Sequence, residues 1–235
     1  MWRVIYSESS PAEAIMEKDA ELLLRLKETS DPILHLYEWE GPSATYGYFF
    51  KKECFLNLEK VREKGLRLAL RPTGGGMVFH LWDLAFSVLV PATHSAYSKN
   101  SLDNYAFVNE AVLQAVAQFL QTKEELVLTP VDACAQSPAS SHFCMARPTK
   151  YDLMVGGKKI AGAAQRQTRD GFLHQGTIAL LMPDVAFLEE ILLPGTGIVE
   201  AMQQSTYALL KDPSELVEAR RRLAQLLQQT FLRYT

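Results

Sequence analysis

The sequence lacks the long hydrophobic runs that membrane proteins and secreted precursors carry. No apolar stretch in its 235 residues reaches the roughly 18 to 20 positions that a bilayer-spanning helix requires. The N-terminus, Met1–Glu8, also lacks the charged start and apolar middle of a signal peptide. We therefore expect a cytoplasmic protein without a membrane partner.

An excess of positive charge is missing as well. The chain has 24 lysines and arginines against 27 aspartates and glutamates, a formal net charge of -3. Domains that bind duplex nucleic acid are usually clearly basic, so we expect no nucleic-acid partner. There is no internal repeat, low-complexity tail or linker, and the 48% hydrophobic content is that of an ordinary globular protein.

Cysteine is scarce. The three cysteines, Cys54, Cys134 and Cys144, are an odd number at spacings that fit no metal site. They suit a reducing compartment with free thiols, and one of them is a candidate nucleophile. We predict no metal site.

The stretch 144–180 combines one of these thiols with a hairpin that carries lysines. The apolar run 151–155 is closed by Gly156-Gly157, and residues 158–163 return from it. Two strand-like runs joined by a Gly-Gly turn predict a β-hairpin. The small residues at 161–164 let backbone or ligand approach closely. A lysine beside them could reach a carboxylate, a phosphate or an acyl carbonyl, which makes this stretch the candidate site.

The rest of the chain mixes strand-like runs with a few amphipathic helices. The patterns predict strands at 4–6, 33–39, 44–50, 66–71, 77–80, 84–91, 126–128 and 172–181, and helices over 11–27, 58–64, 101–121, 184–192 and 213–233. The turn at Gly41-Pro42-Ser43 predicts a second hairpin from the runs beside it, and Ser10 is expected to cap the first helix. Many strands with helices among them predict a mixed sheet with helices against it.

Three glycines, Gly74–Gly76, directly follow a predicted strand that ends at Arg71. On one interpretation they form a tight turn between strands. On the other, their free N–H groups and Arg71 hold an anion or a carbonyl. The spacing fits neither GxxxxGK[ST] nor GxGxxG, so no phosphate-loop enzyme is predicted.

Cys144 also has two interpretations. A free cysteine is by default a small buried hydrophobe. However, Cys144 follows a polar loop and has His142, Arg147, Lys158 and Lys159 near it in sequence. Positive charge favours the reactive thiolate, so Cys144 is the candidate nucleophile among the three cysteines.

The remaining candidate residues differ in the residues that surround them in the sequence. Lys159 adjoins an isoleucine and the small residues after it, so it is a better candidate than Lys158 for the working face of the strand. Cys54 and Cys134 are predicted to be structural. His80 and His174 are each predicted to be hydrogen-bonded structural residues rather than acid–base catalysts.

Two motifs carry a family resemblance. RPTGGGMVFH at 71–80 and YDLMVGGKKIAGAAQ...LHQGTIAL at 151–180 resemble signature segments of the lipoate-protein ligase A and octanoyltransferase family, within the wider biotin/lipoate ligase catalytic fold. The likeness covers nearly the whole chain. It implies an α+β fold with a mixed, largely antiparallel central β-sheet flanked by helices. It also implies a single catalytic domain over 1–235, without a separate C-terminal accessory domain.

The resemblance implies site residues as well. Lys159 matches the active-site lysine of the family, and Arg71 matches the arginine before the glycine loop. The loop itself, Gly74, Gly75 and Gly76, would line the acyl pocket. Further substrate-binding residues are assigned within the same two segments: His80, Gly162, Ala163, His174 and Gly176.

The segment CMARPTKYD, which begins at Cys144, is similar to the one in which Gram-positive-type octanoyltransferases place their nucleophile. It implies a transferase that needs no cofactor. Cys144 would take an octanoyl or lipoyl group from a thioester, with acyl carrier protein as a donor, and pass it to a lysine. The acceptor would be a lipoyl domain of a 2-oxoacid dehydrogenase or the glycine-cleavage H protein, docked near Arg166 and Arg169.

Two alternatives stay open. An ATP-dependent lipoate-protein ligase would use ATP and Mg2+ to make an acyl-adenylate, with Lys159 binding it and Cys144 as a bystander. A degenerate, non-enzymatic relative would only bind lipoyl groups or lipoylated domains. The presence of Arg71, the three glycines and Lys159 speaks against that second alternative.

Overall fold

The computed structural model describes residues 1–121, 125–132 and 140–234, so Cys134 lies outside the described residues. The described strands are β1 (Arg3–Ser10), β2 (Ile33–Trp39), β3 (Ser43–Tyr46), β4 (Arg67–Leu70), β5 (Met77–His80), β6 (Asp83–Pro91), β7 (Leu126–Leu128), β8 (Leu153–Val155), β9 (Lys158–Thr168) and β10 (Gly171–Ala179). The α-helices are α1 (Ala12–Leu24), α2 (Leu58–Glu63), α3 (Ser101–Leu120), α4 (Val185–Ile191), α5 (Ile198–Ser205) and α6 (Leu216–Phe231).

The larger of two sheets has seven strands in the order β1-β2-β6-β10-β9-β8-β7. The strands β1 and β2 run parallel, and every other neighbouring pair is antiparallel. This confirms the prediction of a mixed, largely antiparallel central sheet. The long strands β6 and β10 lie in the middle of it, and all nine residues of each are buried.

Helices cover both faces of the larger sheet, which is why its central strands are buried on both sides. On one face α3 and α6 contribute buried residues that include Val108, Val112, Leu223, Leu227 and Phe231. On the other face Leu22 and Leu23 of α1, and Leu26 of the 3-10 turn that follows it, pack against β6 and β10. Across the described ranges, no helix combines the length and hydrophobicity that crossing a bilayer would demand.

The smaller sheet has three strands in the order β4-β3-β5. It shares an apolar cluster with the helices α2, α4 and α5, to which Phe79 and Ile191 belong. Because β4 and β5 flank residues 71–76, this sheet holds both ends of the glycine loop. Met77 also forms an isolated bridge with Phe143, which places the residue before Cys144 beside the smaller sheet.

The predicted hairpin of the candidate site is confirmed. β8 and β9 pair antiparallel across Gly156-Gly157. These glycines have φ angles of 53° and 78°, and a two-residue type I′ turn requires positive φ at both central positions. The predicted helix over 101–121 is confirmed as α3, where Asn100 Oδ1 accepts from the backbone N–H of Leu102.

The second predicted hairpin is wrong. β2 pairs with β1 and β6, whereas β3 pairs with β4 and β5, so both edges of each strand are occupied by other partners. Gly41, at φ 76°, lies where the chain passes from one sheet to the other. The predicted cap of the first helix is also wrong, because the Ser10 hydroxyl donates to Glu8 O instead. The helix α5 is an element that the sequence patterns do not predict.

Truncation of Leu223 tests the packing of α6 on the larger sheet. Leu223 is fully buried, whereas Val217 on the same helix is 78% exposed. We expect Leu223→Ala to lower the free energy of unfolding by about 2 to 5 kcal/mol, because it leaves a cavity in the core. Val217→Ala should change that free energy by less than about 0.5 kcal/mol. Urea unfolding followed by circular dichroism measures both, and equal losses would contradict this placement of α6.

Candidate active site

A cavity of about 160 Å³ is lined by strands of both sheets and by the glycine loop. Eight of the predicted site residues line it: Arg71, Gly75, Gly76, His80, Cys144, Lys159, Ala163 and Gly176. Three other predicted residues, Gly74, Gly162 and His174, are not among the described residues of its wall. The fold therefore gathers into one cavity most of the residues that the two motifs name.

Cys144 and Lys159 face each other in this cavity. Cys144 begins a short 3-10 helix, Cys144–Ala146, and is half-buried. Lys159 enters from the start of β9, and its side chain is almost fully buried. Lys159 Nζ donates to Cys144 O at 2.8 Å and lies 3.7 Å from Cys144 Sγ. A thiol and a cationic donor thus occupy one site, as nucleophilic catalysis requires.

Asp152 is a further member of the site that the sequence reasoning missed. Its Oδ2 lies 2.6 Å from Lys159 Nζ, and both side chains are shielded from solvent. The same oxygen accepts from the backbone N–H and the hydroxyl of Thr149. Oδ1 accepts from the Tyr105 hydroxyl at 2.8 Å. A buried acid directly before an apolar strand, seven positions ahead of a buried lysine, is a signal that could have indicated an ion pair across a hairpin.

The charge of Lys159 follows from its surroundings. Burial by itself would lower the pKa of Lys159, but Asp152 and Cys144 outweigh burial and hold the pKa above its ordinary value of 10.5. An acidic partner at contact distance favours the charged form of a lysine. Lys159 is therefore an ammonium at neutral pH.

Gly162 makes room for this lysine. A Cβ at Gly162 would overlap the end of the Lys159 side chain and come within 3.1 Å of Asp152 Oδ1. The sequence-based expectation places Gly162 in contact with substrate, whereas the structure places it behind Lys159. Its missing side chain is what allows the ammonium to sit against Asp152.

Arg71 fastens the glycine loop to the smaller sheet. One guanidinium nitrogen donates to Thr45 O and Thr45 Oγ1, and the other donates to Gly74 O and Gly76 O. Burial lowers the pKa of Arg71 to about 10, which still leaves it charged at neutral pH, and Cys144 interacts with that charge. Arg71 Nε is buried and has no hydrogen-bond partner within the described structure.

The loop glycines allow three backbone segments to pack against each other. A Cβ at Gly76 would overlap the backbone of His142, and a Cβ at Gly47 would overlap the backbone of Gly74 and Gly75. Gly75 also has φ 87°, which glycine adopts without strain. Gly74 does not line the cavity, and nothing lies within 4 Å of a Cβ built there. The loop is thus a spacer that brings the segment before Cys144 close to Arg71.

The two histidines have different surroundings. His80 lines the cavity, where its Nδ1 lies 2.7 Å from Asp83 Oδ2 and its Nε2 lies 2.9 Å from Thr45 Oγ1. The ring of Trp39 stacks on His80 with a centroid distance of 4.4 Å. His80 is therefore a hydrogen-bonded part of the cavity wall, which agrees with the structural interpretation.

His174 lies away from the cavity. Its ring packs at 5.0 Å from the ring of Tyr105, and its Nδ1 is 3.3 Å from Gln165 Oε1. Burial lowers the pKa of His174 to about 3, so the ring is neutral. The resemblance implies that His174 binds substrate, but in the described structure His174 does not line the cavity.

A buried network supports the cavity from beneath, and the sequence gives no sign of it. Gln175, which lines the cavity, donates from Nε2 to Asp19 Oδ2 at 2.6 Å. Its Oε1 accepts from the Thr73 hydroxyl at 2.7 Å. His35 Nδ1 and the Ser87 hydroxyl also contact the Asp19 carboxylate. Gln175 is thereby fixed between α1 and the glycine loop.

Known proteins resemble this chain in sequence over most of its length. Residues 11–208 match the family of lipoyl protein ligase A/B catalytic domains. Octanoyltransferase LipM of Geobacillus kaustophilus is 32% identical over 211 residues, which cover 87% of this chain and 74% of the relative. Octanoyltransferase LipM of Bacillus subtilis is 29% identical over 221 residues, which cover 93% of this chain and 80% of the relative.

Solved structures show the same fold. A lipoate-protein ligase A bound with ATP aligns with a TM-score of 0.69 and 24% identity, over 98% of this chain and 85% of that one. A bipartite lipoate protein ligase of Thermoplasma acidophilum aligns with a TM-score of 0.67 and 22% identity, over 98% of this chain and 83% of that one. At these identities the likeness shows the fold alone.

Alanine substitutions at two glycines of one loop test the close packing around Cys144. We expect Gly76→Ala to lower the free energy of unfolding by about 1 to 3 kcal/mol, because the added methyl group overlaps the backbone of His142. Gly74→Ala should change it by less than about 0.5 kcal/mol, since its methyl group meets open space. Differential scanning calorimetry compares the two. Similar stabilities would show that the loop does not pack against the segment before Cys144.

Proposed function

The chain belongs to the family of lipoyl protein ligase A/B catalytic domains, and from this premise we propose that Cys144 carries the acyl group during its reaction. The enzyme is an acyltransferase of protein lipoylation that transfers an octanoyl or lipoyl group to a lysine of a lipoyl domain. One geometric fact supports the role of Cys144 above all others: its Sγ lies 3.7 Å from the Lys159 ammonium in the shared cavity.

In the first half-reaction the Cys144 thiol loses its proton to solvent, and the thiolate attacks the carbonyl carbon of an acyl thioester. A C–S bond to Cys144 forms, the C–S bond to the donor breaks, and the donor leaves as a thiolate that takes a proton from solvent. Lys159 and Arg71 both place positive charge near the sulfur. Such charge favours the thiolate and stabilises the oxyanion of the tetrahedral intermediate.

In the second half-reaction the acceptor's lysine attacks the acyl-thioester as a neutral amine. A C–N bond forms, the bond to Cys144 Sγ breaks, and the amine loses a proton to solvent. Cys144 leaves as a thiolate beside the Lys159 ammonium, which keeps its own proton throughout. Lys159 therefore acts as a hydrogen-bond donor and as a source of positive charge, because Asp152 at 2.6 Å holds it protonated.

This chemistry determines which kind of acyl donor the enzyme needs. A thioester on acyl carrier protein is already activated, so the transferase route needs no cofactor. A ligase would start from a free carboxylate and would need ATP and Mg2+. We propose a lipoyl domain of a 2-oxoacid dehydrogenase or the glycine-cleavage H protein as the acceptor. The single catalytic domain over 1–235 and the cytoplasmic location stay predictions.

The two arginines expected to contact the acceptor differ in position. Arg166 is exposed and donates to Pro72 O at 3.1 Å, which places it beside the glycine loop. Arg169 lies at the turn between β9 and β10 and pairs with Asp170 at 3.3 Å. We therefore propose Arg166, rather than Arg169, as a contact for an acidic lipoyl domain.

Removal of Cys144 tests the covalent route. After mixing with octanoyl-acyl carrier protein in the absence of ATP, we expect the wild type to gain one octanoyl group by intact-protein mass spectrometry. Cys144→Ala should gain none, because it lacks the nucleophile. Cys54→Ala is the matched control and should be acylated normally, since Cys54 is exposed and outside the cavity wall.

The same assay tests the alternative, an ATP-dependent lipoate-protein ligase. If the acyl group is transferred only when lipoate, ATP and Mg2+ are supplied, the enzyme is a ligase and Cys144 is a structural residue. Acylation of Cys144→Ala at the wild-type level would also remove the covalent route.

Charge reversal at Arg166 tests the docking contact. We expect Arg166→Glu to raise KM for an acidic lipoyl domain by about threefold or more with kcat nearly unchanged, since rim charges act on association. Arg169→Glu should have little effect, because Arg169 lies at the turn between β9 and β10 and already pairs with Asp170. The difference should shrink at about 1 M salt, where charges are screened within roughly 3 Å. Equal effects of the two reversals would place the contact elsewhere.

A further inference from the structure

Lys159 is a primary amine, the same chemical group that accepts the acyl chain in the proposed reaction. Its Nζ lies 3.7 Å from Cys144 Sγ. The carbonyl carbon of an acyl group on that sulfur would be within reach of Nζ, since attack begins at separations of about 3 to 3.5 Å. The acyl-enzyme therefore contains an internal competitor for the acceptor's lysine.

The contacts of Lys159 Nζ are those of an ammonium. Three oxygen acceptors surround it, namely Asp152 Oδ2 at 2.6 Å, Cys144 O at 2.8 Å and Arg147 O at 3.4 Å. An ammonium has three N–H donors for these acceptors, whereas a neutral amine has two and would turn its lone pair toward an oxygen. An ammonium has no lone pair and cannot attack a carbonyl.

After Cys144 is acylated, Asp152 is the group that keeps Lys159 in its charged form. In the free enzyme, Asp152 and Cys144 both favour the charged form of Lys159. Once Cys144 carries an acyl group, its sulfur is a neutral thioester and only Asp152 of these two keeps a negative charge. The burial of Lys159 disfavours the ammonium. Tyr105 hydrogen-bonds the Asp152 carboxylate and helps to fix its position.

We propose that Asp152 protects the acyl-enzyme from its own lysine: by holding Lys159 as an ammonium, it prevents the acyl group from moving from Cys144 to Lys159 and reserves it for the acceptor. This inference rests on the proposed function, because it requires an acyl-thioester on Cys144. Asp152 is in this sense a positioning residue, since it acts on the reaction through Lys159.

The reaction that Asp152 prevents is an S-to-N acyl shift. A neutral Lys159 amine attacks the thioester carbonyl, a C–N bond forms, and the C–S bond to Cys144 breaks. The proton of the amine passes to the Cys144 sulfur. The products are an amide on Lys159 and a free thiol, so the enzyme loses the cation that its site requires.

Asp152→Asn is the direct test, because asparagine keeps the shape of the side chain and removes its charge. Wild type and variant are loaded with S-octanoyl-N-acetylcysteamine at pH 8 without ATP, and each is then treated with neutral hydroxylamine, which cleaves thioesters and leaves amides intact. Intact-protein and peptide mass spectrometry locate the remaining octanoyl group. We expect the wild type to lose it and the variant to retain it on Lys159, with a resistant fraction at least about tenfold higher, since each unit by which the pKa of Lys159 falls makes the neutral amine about tenfold more abundant.

Three further variants separate this role from a merely structural one. Tyr105→Phe removes one hydrogen bond from the Asp152 carboxylate but leaves its charge, so its acyl group should stay labile to hydroxylamine. Asp152→Glu restores the charge and should lower the resistant fraction toward the wild-type level. The double variant Asp152→Asn with Lys159→Met should give no resistant product, because it has no amine beside Cys144.

The outcomes distinguish this inference from the proposed function. A wild type that never gains a hydroxylamine-labile acyl group on Cys144 would overturn the proposed function itself. If the wild type loads normally, an Asp152→Asn acyl-enzyme that stays fully labile would overturn the protective role. A folded Asp152→Asn protein that takes no acyl group at all would overturn it too, since protection presupposes that loading does not need Asp152.

A pH series on the wild-type acyl-enzyme decides the question if Asp152→Asn does not fold. We expect the acyl group to stay labile to hydroxylamine up to about pH 9 and to move to Lys159 only above about pH 10, near and beyond the ordinary pKa of a lysine. Transfer to Lys159 at pH 7 in the wild type would show that Asp152 gives no protection.

Discussion

The ion pair between Lys159 and Asp152 is the interaction on which the rest of the site depends. Moving each of two such charges out of water costs roughly several kcal/mol. A buried ion pair is therefore stable only where other groups complete its hydrogen bonds. Here Thr149 and Tyr105 donate to the carboxylate, and the carbonyl oxygen of Cys144 accepts from the ammonium. The last of these contacts ties the chain segment of Cys144 to the ion pair.

Much of the local architecture serves this arrangement. Gly162 leaves the space that the Lys159 side chain occupies, and Gly76 lets the segment before Cys144 approach the glycine loop. Arg71 fixes the loop by donating to Gly74 O and Gly76 O. Replacing Gly162 or Gly76 by a larger residue would separate groups that must meet within a few ångströms, so these two glycines are spacers rather than hinges.

The fold by itself does not choose between transferase and ligase chemistry, because a single fold can present different reacting groups. The solved ligases share this fold at identities below 25%. In the proposed transferase route the nucleophile is Cys144, which stands beside Lys159. A lysine next to a thioester must be kept charged if the acyl group is to reach another protein, and in our proposal the buried carboxylate of Asp152 meets that requirement.

The sequence alone determined the hairpin at 151–163, the glycine loop behind Arg71 and the mixed sheet, because local spacing and motif order carry that information. It also named Cys144 and Lys159 as candidates, and the structure brings the two into one cavity. Tertiary structure decided the rest. The partners of β2 and β3 depend on which sheet edges are free, which no local pattern records, so the second predicted hairpin failed. Asp152 lies beside Lys159 only because β8 and β9 pair. His174 is not part of the cavity wall, because its side chain packs against Tyr105 instead. Distances of 2.6 and 3.7 Å between side chains arise from the packing of two sheets, and no spacing along the chain encodes them.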